Sequence, residues 1–495
     1  MHLFRPIPAL ACFLRPLAAF GWCCCLTTAC PLLLQAEEAR PMTQAGRFYE
    51  ADSTRLRQQV RQWLDEAAPD PSERTVALVV PHAGHRWSGG VAAAAYRTLS
   101  PRKSYRRIFL IGPSHHVALD RASVDTGFSA WASPLGPVRL DTAVCRALAA
   151  DPLFAYHAEA FRTEHCLEVQ VPFLQERLSV LPPVVPLLIH TGDLDNLQQI
   201  AAALQPYFNE AGNLFVISTD FSHYLPFQDA CRIDALTGEA VASGDLRTFL
   251  ETLSSNAAQR LPGLRTSCCG EAAVAVLLMM LGGQDEVIHL LYKNSGHVDA
   301  AQRSQVVGYH ALTVQRHEGF WLSRSNKLAL KEMAIQSIQH GFKQETWHPD
   351  AVHPMLTTGC GAFVTLRRKG ALRGCIGHIG EDLPLWMTVC RMAYSAAFGD
   401  RRFPPLRKSE LKRTDVEISV LTPARCIHDI TEFLPGKHGI LIIKDGHRGT
   451  YLPQVADETG WSREELLQHC AVEKAGLAPD GWKDAELYIY ETIVF

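Results

Sequence analysis

The stretch IFLIGPSHHV, Ile108–Val117, sets the first expectation about the fold. Its opening apolar run, IFLIG, predicts a buried strand. The run stops at a Gly-Pro turn, and Ser114, His115 and His116 follow directly. Two adjacent imidazoles at the end of a buried strand raise the question of whether other strands of the chain end in the same chemistry.

Three further segments do so. VVPHAG places His82 after a strand-like run, ISTDFSHY does the same for Asp220 and His223, and RTSCCGEAAVAVLL puts Cys268 and Cys269 directly before a buried helix. Ligands of open α/β sheets bind beyond the carboxyl ends of the strands, so we expect these side chains to converge. Histidine, cysteine and aspartate are ligands of iron, zinc and copper. On this reasoning His82, His115 and Asp220 are candidate metal ligands, and the Cys268–Cys269 pair is a candidate source of a thiolate ligand.

A purely structural role competes with this prediction at each position. A single histidine at a strand end more often caps a loop or bonds the backbone than binds a metal, and this interpretation is preferred for His85, His190 and His297. Cys268 and Cys269 fit equally well as small buried residues ahead of a helix. The repetition of the strand–turn–histidine pattern, and no single residue, carries the metal prediction.

Other polar groups near these strand ends are candidates for acid–base catalysis. His116 follows His115 directly and points in another direction, and His223 lies beside the predicted ligand Asp220. In EHCLEVQVPFL, His165 and Glu168 are three residues apart and would share one helix face. A direct catalytic role and a role in orienting a ligand both remain open for His165.

The chain has 495 residues, which predicts more than one domain. Hydrophobic residues make up 47% and charged residues 20%, with a formal net charge of -3 and no long basic run, so nucleic acid is not an expected partner. Strand-like and helix-like segments alternate up to about residue 316, which predicts an α/β domain with a mostly parallel sheet. The predicted organisation is an extension at residues 1–38, the α/β domain at residues 39–316 and a smaller α+β domain at residues 325–495.

The N-terminal residues 1–36 leave two interpretations open. They contain an apolar stretch after early arginines, as a secretory signal or membrane anchor would, but Arg15 and Pro16 interrupt it and LQA is a poor cleavage site. The alternative is an upstream extension of a cytoplasmic protein. The 15 cysteines form no CxxC pair, which favours reduced thiols and a cytoplasmic location for the main body. No later apolar run is long enough to span a bilayer.

One stretch of the second half, TLRRKGALRGCIGHIG, predicts a hairpin with its turn at Lys369–Gly370. Glycines flank Cys375 and let backbone approach closely. Arg373 is placed to bind an anion or to lower the pKa of the Cys375 thiol. Cys375 is therefore a candidate catalytic residue, and a tight turn with a buried thiol is the structural alternative. The candidate bases are His378, Glu417 and His438.

The first half resembles the Memo family in QAGRFYEAD, VPHAGHRWSGGVAAAAY, IFLIGPSHHV, EHCLEVQVPFL, LFVISTDFSHY and CCGEAAVAVLL. That resemblance implies a fold like class III extradiol dioxygenases, with metal ligands at His82, His115 and Cys269 and a pocket motif at Asp220 and His223. The dioxygenases have a carboxylate where this chain has the cysteine, which puts ring cleavage in doubt. A thiolate ligand favours iron or copper redox chemistry, with zinc as a further alternative.

The second half resembles the AMMECR1 family in LRGCIGHIG, AAFGDRRFPPL, VEISVLTP and GKHGILI. The activity of that family is not established, and His378 stands here where the family has a threonine-like residue. Proteins of the two families are associated in bacteria with a radical SAM protein. The resemblance therefore implies a fusion of the B and A components of an AmmeMemoRadiSam system, with a radical SAM protein as partner.

Three functions are compatible with these observations. The first is a metal-dependent redox enzyme resembling the dioxygenases. The second is a module that binds a peptide or another ligand in the same crevice without turnover. The third is a protein that handles iron or copper. An enzyme needs open coordination positions and a nearby acid–base group, whereas a metal-handling protein needs only ligands.

Overall fold

The computed structural model describes residues 39–349 and 352–495. The predicted extension at residues 1–38, and with it the choice between signal peptide and cytoplasmic extension, lies outside these residues. Among them, no helix combines the length and the apolar composition that a membrane span requires.

The first half contains eleven strands and ten α-helices among the described residues. The strands are β1 Ala39–Arg40, β2 Thr75–Val80, β3 Arg107–Gly112, β4 Ala122–Val124, β5 Ala130–Trp131, β6 Val138–Arg139, β7 Val184–Ile189, β8 Asn213–Ser218, β9 His223–Leu225, β10 Asp285–Asn294 and β11 Val306–Arg316. The helices are α1 Ser53–Glu66, α2 His85–Arg97, α3 Thr142–Ala149, α4 Ala158–Arg162, α5 Val171–Arg177, α6 Leu194–Asn209, α7 Phe227–Ala242, α8 Leu246–Ala258, α9 Glu271–Met280 and α10 Ser295–Val298.

The main sheet of this half has the strand order β10-β11-β2-β8-β3-β7-β4, and β9 pairs with β11. The four central strands β2, β8, β3 and β7 are mutually parallel. Antiparallel strands flank them on both sides. The predicted α/β fold with parallel strands in its main sheet is therefore confirmed, and β2, β8 and β3 release their carboxyl ends at one edge.

The central strands are apolar throughout because helices cover both faces of the sheet. Phe109 and Ile111 belong to one core, with α6, α9 and the helices near them. Ile108 and Leu110 point the other way, into a second core with α1, α2 and α5. Continuous apolar runs such as IFLIG thus reflect burial on two sides.

The second half contains two four-stranded sheets, of order β13-β12-β14-β19 and β15-β18-β16-β17. Its strands are β12 Ala362–Arg368, β13 Ala371–His378, β14 Asp415–Leu421, β15 Arg425–Ile427, β16 Gly439–Lys444, β17 His447–Tyr451, β18 Glu486–Tyr490 and β19 Thr492–Val494. Its helices are α11 Arg324–Gly341, α12 Leu385–Phe398, α13 Lys408–Leu411, α14 Gln454–Thr459 and α15 Arg463–His469. The predicted hairpin is present as β12 and β13, and Lys369 and Gly370 take the positive φ angles of 50° and 81° at its turn.

The segment between the halves packs against the first half. Arg316 Nε lies 2.7 Å from Asp285 Oδ1, and the His317 ring stacks on Trp321 with centroids 3.9 Å apart. The indole of Trp321 donates to the carbonyl of Gly283 at 3.1 Å. Both halves belong to one compact unit.

Three predicted elements differ from the structure. The predicted strand NLFVISTDFSHY divides, because β8 ends at Ser218 and the chain turns before β9 begins at His223. The predicted helix in CLEVQVPFLQERL begins as a 3-10 turn, Glu168–Gln170, and becomes α-helical at Val171, where Pro172 occupies the first turn. The last predicted helix leaves α-geometry after His469 and continues as a π-helical turn, Cys470–Lys474.

Candidate metal centre

Three neighbouring parallel strands deliver the predicted site residues to one edge of the sheet. His82 follows β2, Asp220 follows β8 and His115 follows β3. Since β8 lies between β2 and β3, the three carboxyl ends are adjacent. This is the edge at which α/β sheets bind ligands.

Cys269 reaches this edge from a different part of the chain. The segment before α9 runs along the residues that follow β8: His223 N–H donates to Thr266 O, and Cys269 N–H to Asp220 O, both at 3.1 Å. The backbone amide of Asp220 in turn donates to Cys269 Sγ at 3.2 Å. These bonds hold the thiol beside the strand ends.

His82, His115 and Cys269 each present a ligand-capable atom, and the three atoms lie within 4.8 Å of one another. The Nε2 atom of His82 is 3.2 Å from Cys269 Sγ. The rings of His82 and His115 are nearly perpendicular, with centroids 5.0 Å apart. His82 is buried, whereas the His115 side chain is 27% exposed, so solvent reaches the cluster from the His115 side.

The tautomer of His82 follows from its hydrogen bonds. Ser218 Oγ donates to the carbonyl of Cys166 at 2.6 Å and accepts from Gln170 Nε2 at 3.0 Å. Its only proton is thereby used, so His82 Nδ1–H must donate to Ser218 Oγ, 3.0 Å away. The lone pair of His82 then lies on Nε2, the atom that faces Cys269.

Glu164 fixes His115 in the same way. Its buried carboxylate accepts from His115 Nδ1 at 2.9 Å and from the His115 amide at 2.7 Å. In the neutral ring, His115 Nε2 then carries the lone pair. A carboxylate on the remote nitrogen of a histidine is the usual arrangement behind a metal-ligating imidazole. Both imidazoles thus offer Nε2 as a ligand atom, and with the thiol they fit a transition metal.

Burial and neighbouring charges shift the pKa values of three groups at the cluster. Burial lowers the pKa of His82 well below its usual value, with further lowering by His115 and His165. Burial alone would raise the pKa of Glu164, but the hydrogen bonds from His115 and His165 hold that pKa well below its usual range. Burial raises the pKa of the Cys269 thiol, and Asp220 adds to the effect. A cation at the cluster would reverse this shift and favour the thiolate.

The carboxylate of Asp220 is hydrogen-bonded to backbone amides at the edge of the cluster. Its carboxylate Oδ1 accepts from the backbone amides of His82 and Ala83, at 2.8 and 3.3 Å, and it belongs to neither ligand-capable group among the described residues. In this geometry Asp220 anchors the turn after β2, which places the His82 ring. That Asp220 ligates a metal stays a prediction, and its observed contacts give it a positioning role.

The predicted acid–base residues divide into two sets. His165 lies at the cluster, with its ring 5.3 Å from that of His82 and 4.6 Å from that of His115. His223 is half-buried, its Nδ1 donates to the Phe221 carbonyl at 2.7 Å, and Nε2 is the ring nitrogen left to face a substrate. His116 is exposed and lies outside both ligand-capable groups of the described chain.

A second ligand-capable group consists of His115, Glu164 and His165. These residues already bond to one another, since the Glu164 carboxylate also accepts from the amides of His165 and Cys166 at 2.9 and 3.0 Å. Four N–H groups donate to this carboxylate, three of them to Oε1. This group therefore supports the first cluster and is not an independent metal site.

Residues 40–49 form an N-terminal strap that packs against Glu168 and His165, and the sequence did not predict it. The carboxylate of Glu168, 2% exposed, accepts from Arg40 Nη1 at 2.7 Å, Gln44 N–H at 2.8 Å and Tyr49 O–H at 2.9 Å. The strap places Phe48 against His165, with ring centroids 4.5 Å apart. Arg40 and Glu168 lie far apart in the sequence, so no local pattern predicts that they pair.

Cys375 lies on β13 of the second half. Its Sγ accepts from Thr365 Oγ1 at 3.3 Å, and its backbone amide donates to Asp400 Oδ2 at 2.9 Å. Arg373, predicted to act on an anion or on this thiol, is instead paired with Glu410 at 3.2 Å. The catalytic role of Cys375 stays a prediction without a base in contact.

Comparisons with known proteins agree with this architecture. A family model described as Memo-like protein matches residues 40–313, more than half of the chain. The chain belongs to the Memo-like family. A second model, AMMECR1, matches residues 331–495, so a Memo domain is fused to an AMMECR1 domain.

Individual relatives show the same relationship. A MEMO1 family protein of Archaeoglobus fulgidus is 32% identical over 270 residues, which are 54% of this chain and 95% of the relative. A protein of Nanoarchaeum equitans is 37% identical over 176 residues, 34% of this chain and 97% of the relative. A MEMO1 family protein of Saccharomyces cerevisiae is 30% identical over 200 residues, 37% of this chain and 59% of the relative.

Proposed function

We propose that the Memo domain binds one iron or copper ion through His82, His115 and Cys269 and that the protein is a metal-dependent redox enzyme. The observation that carries this proposal is the convergence of the three ligand-capable atoms within 4.8 Å, delivered by three separate segments of the chain. The tautomers deduced for both imidazoles support it, because each leaves a lone pair available to a metal.

The donor set favours particular metals. Imidazole suits iron, copper and zinc, and a thiolate selects softer ions over magnesium or calcium. When bound, iron or copper would supply electron-transfer chemistry at the positions that three protein ligands leave open. Zinc would supply only polarisation, and it is the alternative that metal analysis must exclude.

His165 and His223 are the residues that we assign to proton transfer. His165 borders the cluster and has Glu164 3.2 Å from its Nδ1. His223 presents Nε2 to a substrate, because its other ring nitrogen donates to a carbonyl. Either imidazole would accept or hold a proton of a substrate that enters from the exposed His115 side.

We extend the proposal to a radical SAM protein as partner. The resemblance of the two domains to components that are associated with such a protein supports this extension. It predicts that a radical SAM protein from the source organism copurifies with the tagged full chain under anaerobic conditions. Recovery no greater than that of an unrelated iron–sulfur protein would contradict it.

Metal content of anaerobically purified protein tests the metal assignment. We expect close to one iron or copper per chain in the wild type and its loss in Cys269→Ser. Cys268→Ser is the matched control, since Cys268 is the adjacent buried thiol and belongs to neither ligand-capable group of the described residues. Equal metal content in the two variants, or a folded wild type that cannot be loaded, would refute the site.

Redox chemistry needs a separate measurement. The loaded wild type should change its optical and electron paramagnetic resonance spectra reversibly on oxidation and reduction, and loaded Cys268→Ser should do the same. A site that binds zinc alone, or whose spectra do not respond, would refute the redox function and leave metal binding intact.

A further inference from the structure

The AMMECR1 domain contains a cleft between its two sheets. The cleft has a volume of about 730 Å³, which lies within the range of small-molecule sites. Its walls come from β12 and β13 of one sheet, from β16 and β17 of the other, and from the π-helical turn after α15. It lies in the half of the chain that the metal site does not use.

One wall of the cleft is apolar. Phe363 on β12 and Leu441 on β16 line it and belong to the small hydrophobic cluster that joins the two sheets. Phe363 keeps its position because Gly377 stands opposite it, and a Cβ at Gly377 would lie 2.1 Å from the ring. This wall offers a fixed apolar surface to the body of a ligand.

Two cations face the same space. Arg448 on β17 and Lys474 at the end of the π-helical turn both line the cleft, and neither forms an ion pair with any described residue. Gly449 permits this approach, since a Cβ there would lie 2.5 Å from the backbone nitrogen of Ala475. The turn is the one π-helical segment of the described chain, and such segments are frequent at functional sites.

His378 and Asp382 form a polar pair that also lines the cleft. His378 Nε2 lies 2.6 Å from Asp382 Oδ1, directly over Gly380, where a Cβ would lie 2.2 Å from that oxygen. The pair places one negative charge near the two cations. Among the residues that line the cleft, the two cations outnumber the one carboxylate, which favours an anion.

We propose that this cleft is a binding site for a small organic anion. Arg448 and Lys474 hold the anionic group, a carboxylate, sulfonate or phosphate, and the apolar wall at Phe363 and Leu441 holds the body of the molecule. This site goes beyond the proposed metal function and does not depend on it, because none of its residues belongs to the Memo domain.

Two fluorescent probes test the proposal on the full chain. Anilinonaphthalene sulfonate carries an anionic group on an aromatic body, and phenylnaphthylamine has a similar body without the charge. In the double variant Arg448→Gln, Lys474→Gln, the Kd of the sulfonate should rise about tenfold or more, since hydrogen bonds to charged groups are the stronger class. The Kd of the neutral probe should change by less than about twofold, because the apolar wall is untouched.

Two further variants complete the experiment. Lys408→Gln, Lys412→Gln removes the same charge from the exposed helix α13 and its end, and it should leave the Kd of the sulfonate nearly unchanged. Asp382→Asn removes the negative charge beside the cations and should tighten sulfonate binding a few-fold with no effect on the neutral probe.

Four results would overturn the proposal. They are an unchanged Kd of the sulfonate in the Arg448, Lys474 variant, an equal loss in the Lys408, Lys412 control, a parallel loss of the neutral probe, and a Kd in Asp382→Asn that fails to fall. The last variant is expected to strengthen binding, so a loss caused by misfolding cannot imitate its predicted result.

Discussion

The metal crevice of the Memo domain and the cleft of the AMMECR1 domain hold their functional side chains in different ways. In the crevice, buried polar groups such as Ser218, Glu164 and Glu168 hold the functional side chains, and almost every one of their hydrogen-bonding atoms is used. In the cleft, the functional cations Arg448 and Lys474 are exposed and unpaired among the described residues. Close backbone approach at glycine positions sets the shape of that cleft.

This difference has a physical consequence. A buried hydrogen-bonded network fixes atoms to within a fraction of an ångström, as a metal site requires, and it is costly to break because its members cannot return to water. Exposed cations keep their hydration and rotamer freedom, which suits a ligand held mainly by charge and apolar contact. We therefore expect substitutions in the crevice to change all-or-none properties and substitutions in the cleft to change affinity gradually.

The largest effect is expected from His115→Ala compared with His116→Ala. The two histidines are adjacent, but only His115 belongs to the ligand-capable cluster, whereas His116 is exposed. His115→Ala should abolish stoichiometric iron or copper, and His116→Ala should retain it, as measured by mass spectrometry of anaerobically purified protein. Full metal content in His115→Ala would show that the metal does not bind through His115.

A smaller but still large effect is expected on stability from Glu168→Ala. The substitution leaves buried Arg40 without its partner at 2.7 Å, and loss of one member of a buried pair costs about 3–5 kcal/mol. Glu251→Gln is the control, because its bond to Arg247 lies on the exposed surface of α8, where solvent screens the pair and its loss should leave stability nearly unchanged. Denaturant unfolding of the Memo domain measures both. Equal stability of the two variants would show that the buried Arg40–Glu168 pair does not stabilise the domain.

The smallest effect concerns Asp234, a fully buried residue of α7 that accepts from Ser222 N–H and Tyr292 O–H, both at 2.8 Å. Burial raises the pKa of Asp234 to about 6, against the opposing effect of these hydrogen bonds. Its folded pKa thus exceeds its unfolded pKa of 3.8, so the native state binds the proton more tightly. The associated stability is present below about pH 4 and is lost as pH rises through about 6.

Asp234→Asn should therefore flatten this part of the pH profile. We compare the unfolding free energy of the variant minus that of the wild type at two pH values. This difference should be about 2–3 kcal/mol larger at pH 8 than at pH 4, since one pKa unit corresponds to about 1.4 kcal/mol. Denaturant unfolding at several pH values, with metal removed from both proteins, provides the measurement. Parallel profiles of variant and wild type would show that Asp234 does not titrate as its burial implies.

Much of the fold was predictable because its signals are local. The apolar runs of β2, β3, β7 and β8 predicted buried strands, and the Lys369–Gly370 turn predicted the β12–β13 hairpin. The turn of Thr219–Ser222 was missed because it depends on partners outside its own sequence, such as the amide of His82 that bonds to Asp220. The strap from Arg40 to Glu168 was missed for the same reason.

The sequence by itself determined the α/β character of the first half, the two family resemblances and the candidates His82 and His115, because each depends on residue type and short spacing; the choice of Cys269 came from the Memo resemblance. Only the tertiary structure decided that Asp220 anchors a turn, that Ser218 and Glu164 set the tautomers of the imidazoles, and that Arg448 and Lys474 face one cleft. Hydrogen-bond direction and the juxtaposition of distant side chains arise from packing between segments, and no local pattern of the chain encodes them.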